Sequence, residues 1–467
     1  MKRMTVVKCT IAMVCLAAIW PGSVRADEVS PDRIKKLEDA VQQLQQQNEV
    51  LRNELDQVKS PVNGNGVEPS MSNGAAAFVI PGAKDSKILL GGYVQAQGEF
   101  GQVDAYRGSL PDYGANNHRV YDRFRIRRAR LGAWGDLTDQ FDFKLMGDFE
   151  QGDGINGGNG GLNASGNRTA FSATDIFINY HQFPEVNVKF GQFDTPYGME
   201  QFRIPDMFTL TPERSAVTEA LRPERQVGVM LWGKPLANLW PEEKDLVSYW
   251  FGVFNGNNRN VTVNDNQDFM YMGRVEVQPF QGKFLGQPTT WKIGVDGYVD
   301  KAATNTVLTQ TGNVVVGSDG RLSALSVQTK GAYRRAAGAD QQFECGPLTL
   351  QAEYLQTYYE HALSKVPNFT ANGYWLLAGY QIVPKKVELV AKWESFTPDN
   401  GMVGVHRTSD DLRTVTGGIN YYPKGRDSRD IVLMLDYMHT VSHFRELNPS
   451  YGPSAFDEIM VRTEFNF

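Results

Sequence analysis

Arginine fills five of the eight positions from 123 to 130, and these side chains are the first candidates for binding chemistry. Successive side chains of a β-strand point to opposite sides. Phe124 and Ile126 share one face, and Leu131 and Ala133 join that face only if the register shifts by one residue. A β-bulge between the third and fourth arginine is therefore predicted, because it turns all five arginines to the other face. The five are Arg123, Arg125, Arg127, Arg128 and Arg130.

This row of guanidinium groups, with Lys144 on the next predicted strand, would offer an anion forked hydrogen-bond donors in place of its hydration shell. If this strand belongs to a membrane barrel, as the alternating pattern described below predicts, two orientations are open. In the first, all five arginines face the lumen. In the second, Arg123 and Arg125 lie outside and contact the phosphates of outer-leaflet lipids. Charge on the lipid face costs roughly 2–4 kcal/mol at mid-membrane and little near the edge, which favours the lumen.

Other positions predicted to share the inner face carry both signs of charge. The basic ones are Arg274, Lys292, Lys392 and Arg462, and the acidic ones are Asp148, Glu276, Asp296, Glu353, Glu388, Glu394, Asp436 and Glu464. This wall is not uniformly basic, so selectivity for phosphate does not follow from the residues. We expect no enzyme, no metal site and no cofactor. No histidine lies at a spacing from a serine or cysteine that would indicate a catalytic pair. His439 and His443 would lie about 13 Å apart on a strand, which is too far for both to bind one metal ion.

The last nine residues, 459–467, predict a strand with one apolar and one polar face. Ile459, Val461, Thr463, Phe465 and Phe467 share one face, whereas Met460, Arg462 and Glu464 share the other. Such a strand suits lipid on one side and water on the other, although an edge strand of a soluble sandwich shows the same alternation. The terminal Phe467 also resembles the sorting signal that the barrel-assembly machinery reads in bacterial outer-membrane proteins.

The first residues predict export. Lys2, Arg3 and Lys8 precede a short apolar run, and a small-residue pattern ends at Ala26, so residues 1–26 are expected to be a signal peptide. Without its four basic residues the chain carries 43 basic and 53 acidic side chains, a net charge of −10 that argues against nucleic acid as a partner. Mean hydropathy is −0.39, and no later run approaches the roughly 20 apolar residues of a membrane-spanning helix.

Residues 27–60 predict a periplasmic α-helical coiled coil. Its heptad positions are Ile34, Leu37, Val41, Leu44, Asn48, Leu51, Leu55 and Val58. Opposite charges at flanking positions favour parallel chains, whereas Asn48 with the β-branched residues favours a dimer over a trimer. A lone amphipathic helix is the alternative. Residues 61–77, rich in glycine and proline, predict a flexible linker.

Residues 78–467 predict an all-β domain, a transmembrane antiparallel β-barrel of about 16 strands. The clearest segment is 141–149, in which phenylalanine and leucine alternate with aspartate and lysine. Connections alternate between tight ones, such as 184–186 and 384–386, and long ones, such as 101–122 and 198–225. Short periplasmic turns and long outer loops produce this asymmetry in bacterial barrels.

Two segments carry a family resemblance. The segments F-R-I-R-R-A-R-L-G-A-W-G-D-L at 124–137 and V-K-F-G-Q-F-D-T-P-Y-G-M-E at 188–200 resemble blocks of the phosphate-selective porin O and P family. The resemblance implies a sixteen-stranded trimeric channel whose third long loop folds inward to narrow the pore. In this chain that loop would be 198–225. Its arginines, expected at the constriction, are Arg203, Arg214, Arg222 and Arg225.

From the pattern and the resemblance we expect a homotrimeric porin in the bacterial outer membrane that takes up small hydrophilic solutes passively. Its partners would be small anionic or polar solutes, outer-membrane lipids and, through Phe467, the barrel-assembly machinery. A preference for anions such as phosphate and a general porin both remain open. The alternative is an envelope anchor that is tethered through its coiled coil and conducts little or nothing.

Overall fold

The computed structural model describes residues 76–78, 87–107, 122–149, 171–261, 264, 266–301, 314–316, 322–324, 333–360, 368–400, 411–447, 449 and 452–467. The predicted signal peptide, the predicted coiled coil and most of the predicted linker lie outside these residues. The chain divides into two units, 1–63 and 64–467, and every described residue belongs to the second.

The alternating apolar and polar pattern produces sixteen antiparallel strands that close into a barrel. They are β1 (Lys87–Gly101), β2 (Arg123–Asp136), β3 (Phe141–Asp148), β4 (Ser172–Phe183), β5 (Val186–Phe193), β6 (Gln226–Gly233), β7 (Val247–Phe254), β8 (Met270–Phe284), β9 (Gln287–Lys301), β10 (Tyr333–Cys345), β11 (Leu348–Glu360), β12 (Phe369–Val383), β13 (Val387–Asn400), β14 (Leu412–Tyr421), β15 (Ile431–Ser442) and β16 (Ala455–Asn466). Each pairs with its neighbours in sequence, and β16 pairs with β1 to complete the ring. The predicted all-β barrel of 16 strands is therefore confirmed.

Short elements accompany the barrel. The strand Ala76–Phe78 pairs with β1, and Val314–Val316 pairs with Leu322–Ala324. The described residues also contain the short α-helices α1 (Met199–Phe202), α2 (Ala216–Leu221) and α3 (His443–Leu447) and the 3₁₀ turns Ala105–Arg107, Asp206–Phe208 and Pro241–Glu243. Among the described residues, no helix has the length and apolar character needed to cross a membrane.

The last strand closes the barrel with the faces that the sequence predicts. Ile459, Val461 and Phe465 are exposed, whereas Arg462 and Glu464 on the other face are fully buried. Phe467 extends the pairing beyond β16: its backbone N–H donates to Gly92 O at 3.0 Å and its carbonyl accepts from Gly92 N at 2.8 Å. The terminal residue therefore satisfies backbone groups at the seam between the first and last strands, where an open edge would leave them unpaired in lipid.

Outward side chains are large and apolar all around the barrel, with aromatic rings near both ends of the strands. Phe141, Trp291 and Tyr380 lie near the ends that carry short turns, and Phe124 and Tyr333 lie near the other ends. Two aromatic girdles flanking an apolar band are typical of a barrel in a lipid bilayer. The short connections, such as 285–286 between β8 and β9 and 346–347 between β10 and β11, therefore mark the periplasmic end.

Candidate functional site

The connection 194–225 between β5 and β6, called loop 3 here, lies inside the barrel and reaches opposite walls. The Tyr197 hydroxyl donates to Gln356 O on β11 at 3.1 Å. The Asn420 side chain on β14 donates to Leu210 O at 2.8 Å. The inward third loop that the family resemblance implies is therefore present, and its apolar side chains, such as Val217 and Leu221, belong to the buried core.

The β2 strand contains the predicted bulge. Gln95 of β1 lies opposite Arg128, and the next residue, Ala96, lies opposite Ile126, so Arg127 is the extra residue. Arg127 and Arg128 are both buried, whereas Phe124 and Leu131 are exposed on the outer face. The single inserted residue lets two consecutive arginines point into the lumen.

The arginine row, defined as Arg123, Arg125, Arg127, Arg128 and Arg130, contacts two carboxylates of loop 3. Arg127 binds Glu213 with two parallel hydrogen bonds, Nε to Oε1 at 2.7 Å and Nη2 to Oε2 at 3.0 Å. Arg128 Nη2 lies 3.2 Å from Asp206 Oδ1, and Arg130 Nη1 donates to Asp206 Oδ2 at 2.5 Å. Bidentate and charge-assisted contacts of this kind fix geometry as well as contributing energy, so the row positions loop 3.

The outer two arginines of the row also face the lumen. Arg123 Nε donates to Glu99 Oε2 at 2.5 Å and its Nη2 to Asp104 Oδ2 at 2.8 Å. Arg125 Nη2 lies 2.6 Å from Glu99 Oε1. Glu99 is a fully buried residue of β1. The structure thus has the lumen orientation for Arg123 and Arg125 rather than the orientation toward lipid phosphates.

Each of the remaining basic residues of the predicted site contacts at least one carboxylate. Lys144 Nζ lies 3.5 Å from Asp175, which also accepts from Arg225 at 3.0 Å. Arg203 binds Glu276 of β8 with two hydrogen bonds of 2.8 Å. Within loop 3 itself, the pairs are Arg214 with Asp206 and, at 2.9 Å, Arg222 with Glu219. The four loop arginines therefore stabilise the fold of loop 3 and attach it to the barrel wall.

Carboxylates on the wall opposite the arginine row accept hydrogen bonds from loop 3. Glu353 of β11 accepts from the Thr218 hydroxyl at 3.0 Å and from the Met199 N–H. Glu394 of β13 accepts from the Ala216 N–H at 3.1 Å, at the start of α2. Carboxylates bound to backbone N–H groups at short helices compensate donors that would otherwise be unpaired. Loop 3 is thus held by ion pairs to β2 on one side of the lumen and by hydrogen bonds from its N–H and O–H groups on the other.

Among the described residues, cavities on two sides of loop 3 lie at the level of the arginine row. The one facing β13–β16, beside Tyr106, Pro212 and Asp436, has about 10 Å³ of free space, roughly that of one water molecule. The one facing β1–β7, called the side cavity here, has about 70 Å³. Its charged lining residues are the basic Arg130, Lys144, Lys189, Arg214 and Arg225 and the acidic Asp175, Asp194 and Asp206.

A third cavity, called the turn-side cavity here, lies between loop 3 and the connection 422–430 that joins β14 and β15. It has about 270 Å³ of free space, with Arg203 and Phe208 of loop 3 on one side and Arg426 and Arg429 on the other. Because 422–430 lies at the end with the short connections, this cavity opens on the periplasmic side of loop 3.

A family model described as phosphate-selective porin O and P matches residues 93–467. The chain belongs to this family. The match begins within β1 and runs to the last residue, so it covers the barrel. Family membership and the closed sixteen-stranded barrel together make the protein a porin channel of the bacterial outer membrane.

Solved structures share the porin's fold at low sequence identity. OmpT of Vibrio cholerae, expressed in the outer membrane, is 10% identical, with 83% of this chain and 100% of that chain covered and a TM-score of 0.50. OmpF of Salmonella typhi, in a complex with daunomycin, is 13% identical, with 82% and 98% covered and a TM-score of 0.50. No curated protein matches the chain.

Two loop carboxylates that organise the porin's lumen are absent from the predicted site residues. Burial raises the pKa of Glu213, but the surrounding arginines, Arg127 most of all, outweigh burial and hold that pKa well below its usual range. The pKa of Asp206 is lowered in the same way, by four arginines that outweigh its burial. The sequence carried a signal for such partners, because loop 3 contains six acidic residues against four arginines.

The first long loop also contributes to the lumen. Ala105 and Tyr106 of its 3₁₀ turn Ala105–Arg107 are buried, and Tyr106 packs against Met438 and Met460. Arg107 Nη2 donates to Glu213 Oε2 at 2.7 Å, so this loop adds another cation to the same carboxylate. The local sequence pattern does not predict that this loop folds into the lumen, because it is typical of an ordinary polar loop.

Proposed function

We propose that this porin lets small hydrophilic solutes cross the outer membrane passively and favours anions, phosphate among them. The observation that carries the proposal is the charge of the side cavity, where five basic side chains meet three acidic ones. The cavity on the other side of loop 3, which faces β13–β16, has only about 10 Å³ of free space. Solutes would therefore pass between loop 3 and β1–β7, through the more basic of the two gaps.

The arginine row would guide anions into this passage from the outer side. It starts with Arg123 at the loop end of β2 and runs inward to Arg130, which lines the side cavity. Charges of one sign along a narrow low-dielectric path concentrate counter-ions and guide their entry. The carboxylates of β1 and loop 3 hold these arginines in place beside the passage.

Current recorded through single channels in planar bilayers tests this proposal and separates it from an anchor role. Replacing chloride by the bulky gluconate should reduce the current severalfold, because anions carry most of it. Replacing potassium by Tris should change the current much less. Equal losses in both exchanges would show a general porin, and a folded barrel that never conducts would support the anchor that the N-terminal heptads suggest.

We also infer that the porin is a homotrimer whose N-terminal helices, 27–60, bundle in the periplasm. The heptad seam and the family's trimeric barrels support this inference, while Asn48 at an a position favours two strands. Mass measurement of the full-length protein in detergent should give a trimer, and the isolated segment 27–60 should crosslink as a trimer. A segment that is a clean dimer or a monomer would show that the barrel alone sets the oligomer.

Recognition of the C-terminal strand by the barrel-assembly machinery belongs to the same proposal. Phe467 is half-exposed on the outer face, at the seam where β16 meets β1. An aromatic ring there is accessible to a partner that binds the strand before the barrel closes.

A further inference from the structure

The inner wall of β4–β7 carries large aromatic rings. The buried rings of these strands are Phe177 on β4, Phe193 on β5, Trp232 on β6, and Trp250 and Phe254 on β7. Their neighbours in sequence, such as Ile178 and Phe251, are exposed on the outer face. A water-filled barrel normally turns polar side chains to its lumen. Inward rings on four consecutive strands are therefore a feature that the barrel alone does not require.

Four of these rings line the side cavity and are called the aromatic wall here: Phe177, Phe193, Trp232 and Trp250. Across the cavity, loop 3 contributes the half-buried Phe202, whose ring meets that of Trp250 edge to face at 5.5 Å. Arg130 of β2 and Lys144 of β3 line the same cavity. The side cavity thus has rings from β4–β7 on one side and cations from β2 and β3 on the other.

Contacts between side chains fix the orientation of the aromatic wall. The Phe193 ring meets that of Phe177 at 6.0 Å and that of Phe254 at 5.6 Å, both edge to face. Trp232 Nε1 donates to Asn179 Oδ1 at 2.9 Å, which fixes the indole ring. A surface whose rings are already ordered loses little conformational freedom when a solute binds.

Lys189 of β5 places a positive charge beside the rings. Its Nζ lies 4.2 Å from the centre of the Phe177 ring and 5.5 Å from that of Phe193. The lysine is half-buried and lines the side cavity. A solute whose ring packs on the aromatic wall would therefore have a cation within reach of its acid group.

The acidic side chains that line the side cavity are each paired with an arginine. Asp206 Oδ2 lies 2.5 Å from Arg130 Nη1. Asp175 and Asp194 contact Arg225 at 3.0 and 2.7 Å. These pairs compensate the carboxylates, and the cavity still has more basic than acidic side chains.

We propose that the side cavity prefers anions that carry an aromatic ring, with small aromatic carboxylates as its solute class. Packing a ring on the aromatic wall removes apolar surface from water, which is favourable. Phosphate has no apolar surface to gain from that contact, and it loses water there. The free space of about 70 Å³ is that of roughly five to seven water molecules, which suits one flat ring with a carboxylate. This inference rests on the proposed passage of anions beside loop 3 and names the chemistry of the preferred solutes.

Block of the chloride current by three carboxylates tests the proposal on the full-length protein in planar bilayers. The measurement uses constant KCl and neutral pH, where all three acids are ionised. Benzoate should halve the current at a concentration about tenfold below that of acetate, because its ring adds apolar contact. Cyclohexanecarboxylate is of similar size but lacks aromatic faces, so it should need severalfold more than benzoate.

Variants of the aromatic wall should change the block by benzoate and leave that by acetate unaltered. In F177L and in W250L, the concentration of benzoate that halves the current should rise about threefold, because the aromatic contact is lost. W250F keeps a ring and should retain most of the block. The matched control is F251L, which changes the next residue of β7 on the lipid face, and it should behave as the natural protein does.

Equal potency of benzoate with acetate or with cyclohexanecarboxylate would overturn the proposal, as would an equal change in F251L and W250L. Heat-dependent mobility on gels verifies that each barrel is folded, and F177L decides the matter if W250L does not fold. Failure of this inference is distinguishable from failure of the proposed function. A KCl current carried by cations contradicts anion passage, whereas an anion current that benzoate blocks no better than acetate contradicts only the preference for rings.

Discussion

Replacing Arg127 and Arg128 together by alanine will lower the anion-to-cation permeability ratio by about tenfold while the barrel remains folded. At about 8 Å, one unit charge contributes roughly 2 kcal/mol in a medium of effective dielectric constant near 20, and salt reduces this. Two charges are lost, and Glu213 and Asp206 lose compensation. A net change of about 1.4 kcal/mol corresponds to a factor of ten. Zero-current potentials in asymmetric KCl measure the ratio.

Two companion variants separate charge from docking of loop 3. R127K/R128K keeps both charges but cannot form the two parallel bonds to Glu213, so ion preference should stay near that of the natural protein. R335A removes an arginine at the outer rim whose side chain is 66% exposed, and it should change little because solvent screens it. If the double alanine variant keeps its preference while R335A loses it, the charges that select ions lie in the outer loops.

Removing the charge of Asp206 should raise the anion-to-cation permeability ratio, opposite to the effect of removing Arg127 and Arg128. This carboxylate contacts Arg128, Arg130 and Arg214, so D206N leaves three buried guanidinium groups undercompensated. Anion preference should rise severalfold, and the current should become noisier because loop 3 loses a central attachment to β2. The matched control is D245N, at a partly exposed aspartate that pairs with Lys234 at 2.6 Å outside the lumen. Lower anion preference in D206N would show that Asp206 does not offset the arginines.

The register of β2 could be predicted from sequence because a membrane barrel imposes two strict faces. Phe124 and Ile126 define one register and Leu131 and Ala133 the other, so the bulge at Arg127 follows from local pattern alone. The same reasoning places Arg462 and Glu464 inward on the last strand. Because one face of each strand contacts lipid, the apolar residues alone show which way every side chain of the strand points, and its contact partners need not be known.

The partners of the inward arginines could not be predicted in the same way. Arg130 and Asp206 are 76 residues apart, and Arg127 and Glu213 are 86 apart. Which loop carboxylate meets which arginine depends on how loop 3 crosses the lumen, and no periodicity in the loop encodes that. Arg429 is a similar case, since its connection reads as a polar turn and its burial against Phe208 arises only in the folded barrel.

The zero-current potential of the natural porin across a bilayer with a tenfold KCl gradient tests anion passage beside loop 3 most directly. An ideally selective channel would give about 59 mV. We expect a potential with the sign set by chloride and a magnitude below that limit, because the lumen wall carries both signs of charge. A potential of the opposite sign, or a folded barrel that conducts no current, would contradict the passage of anions through the side cavity.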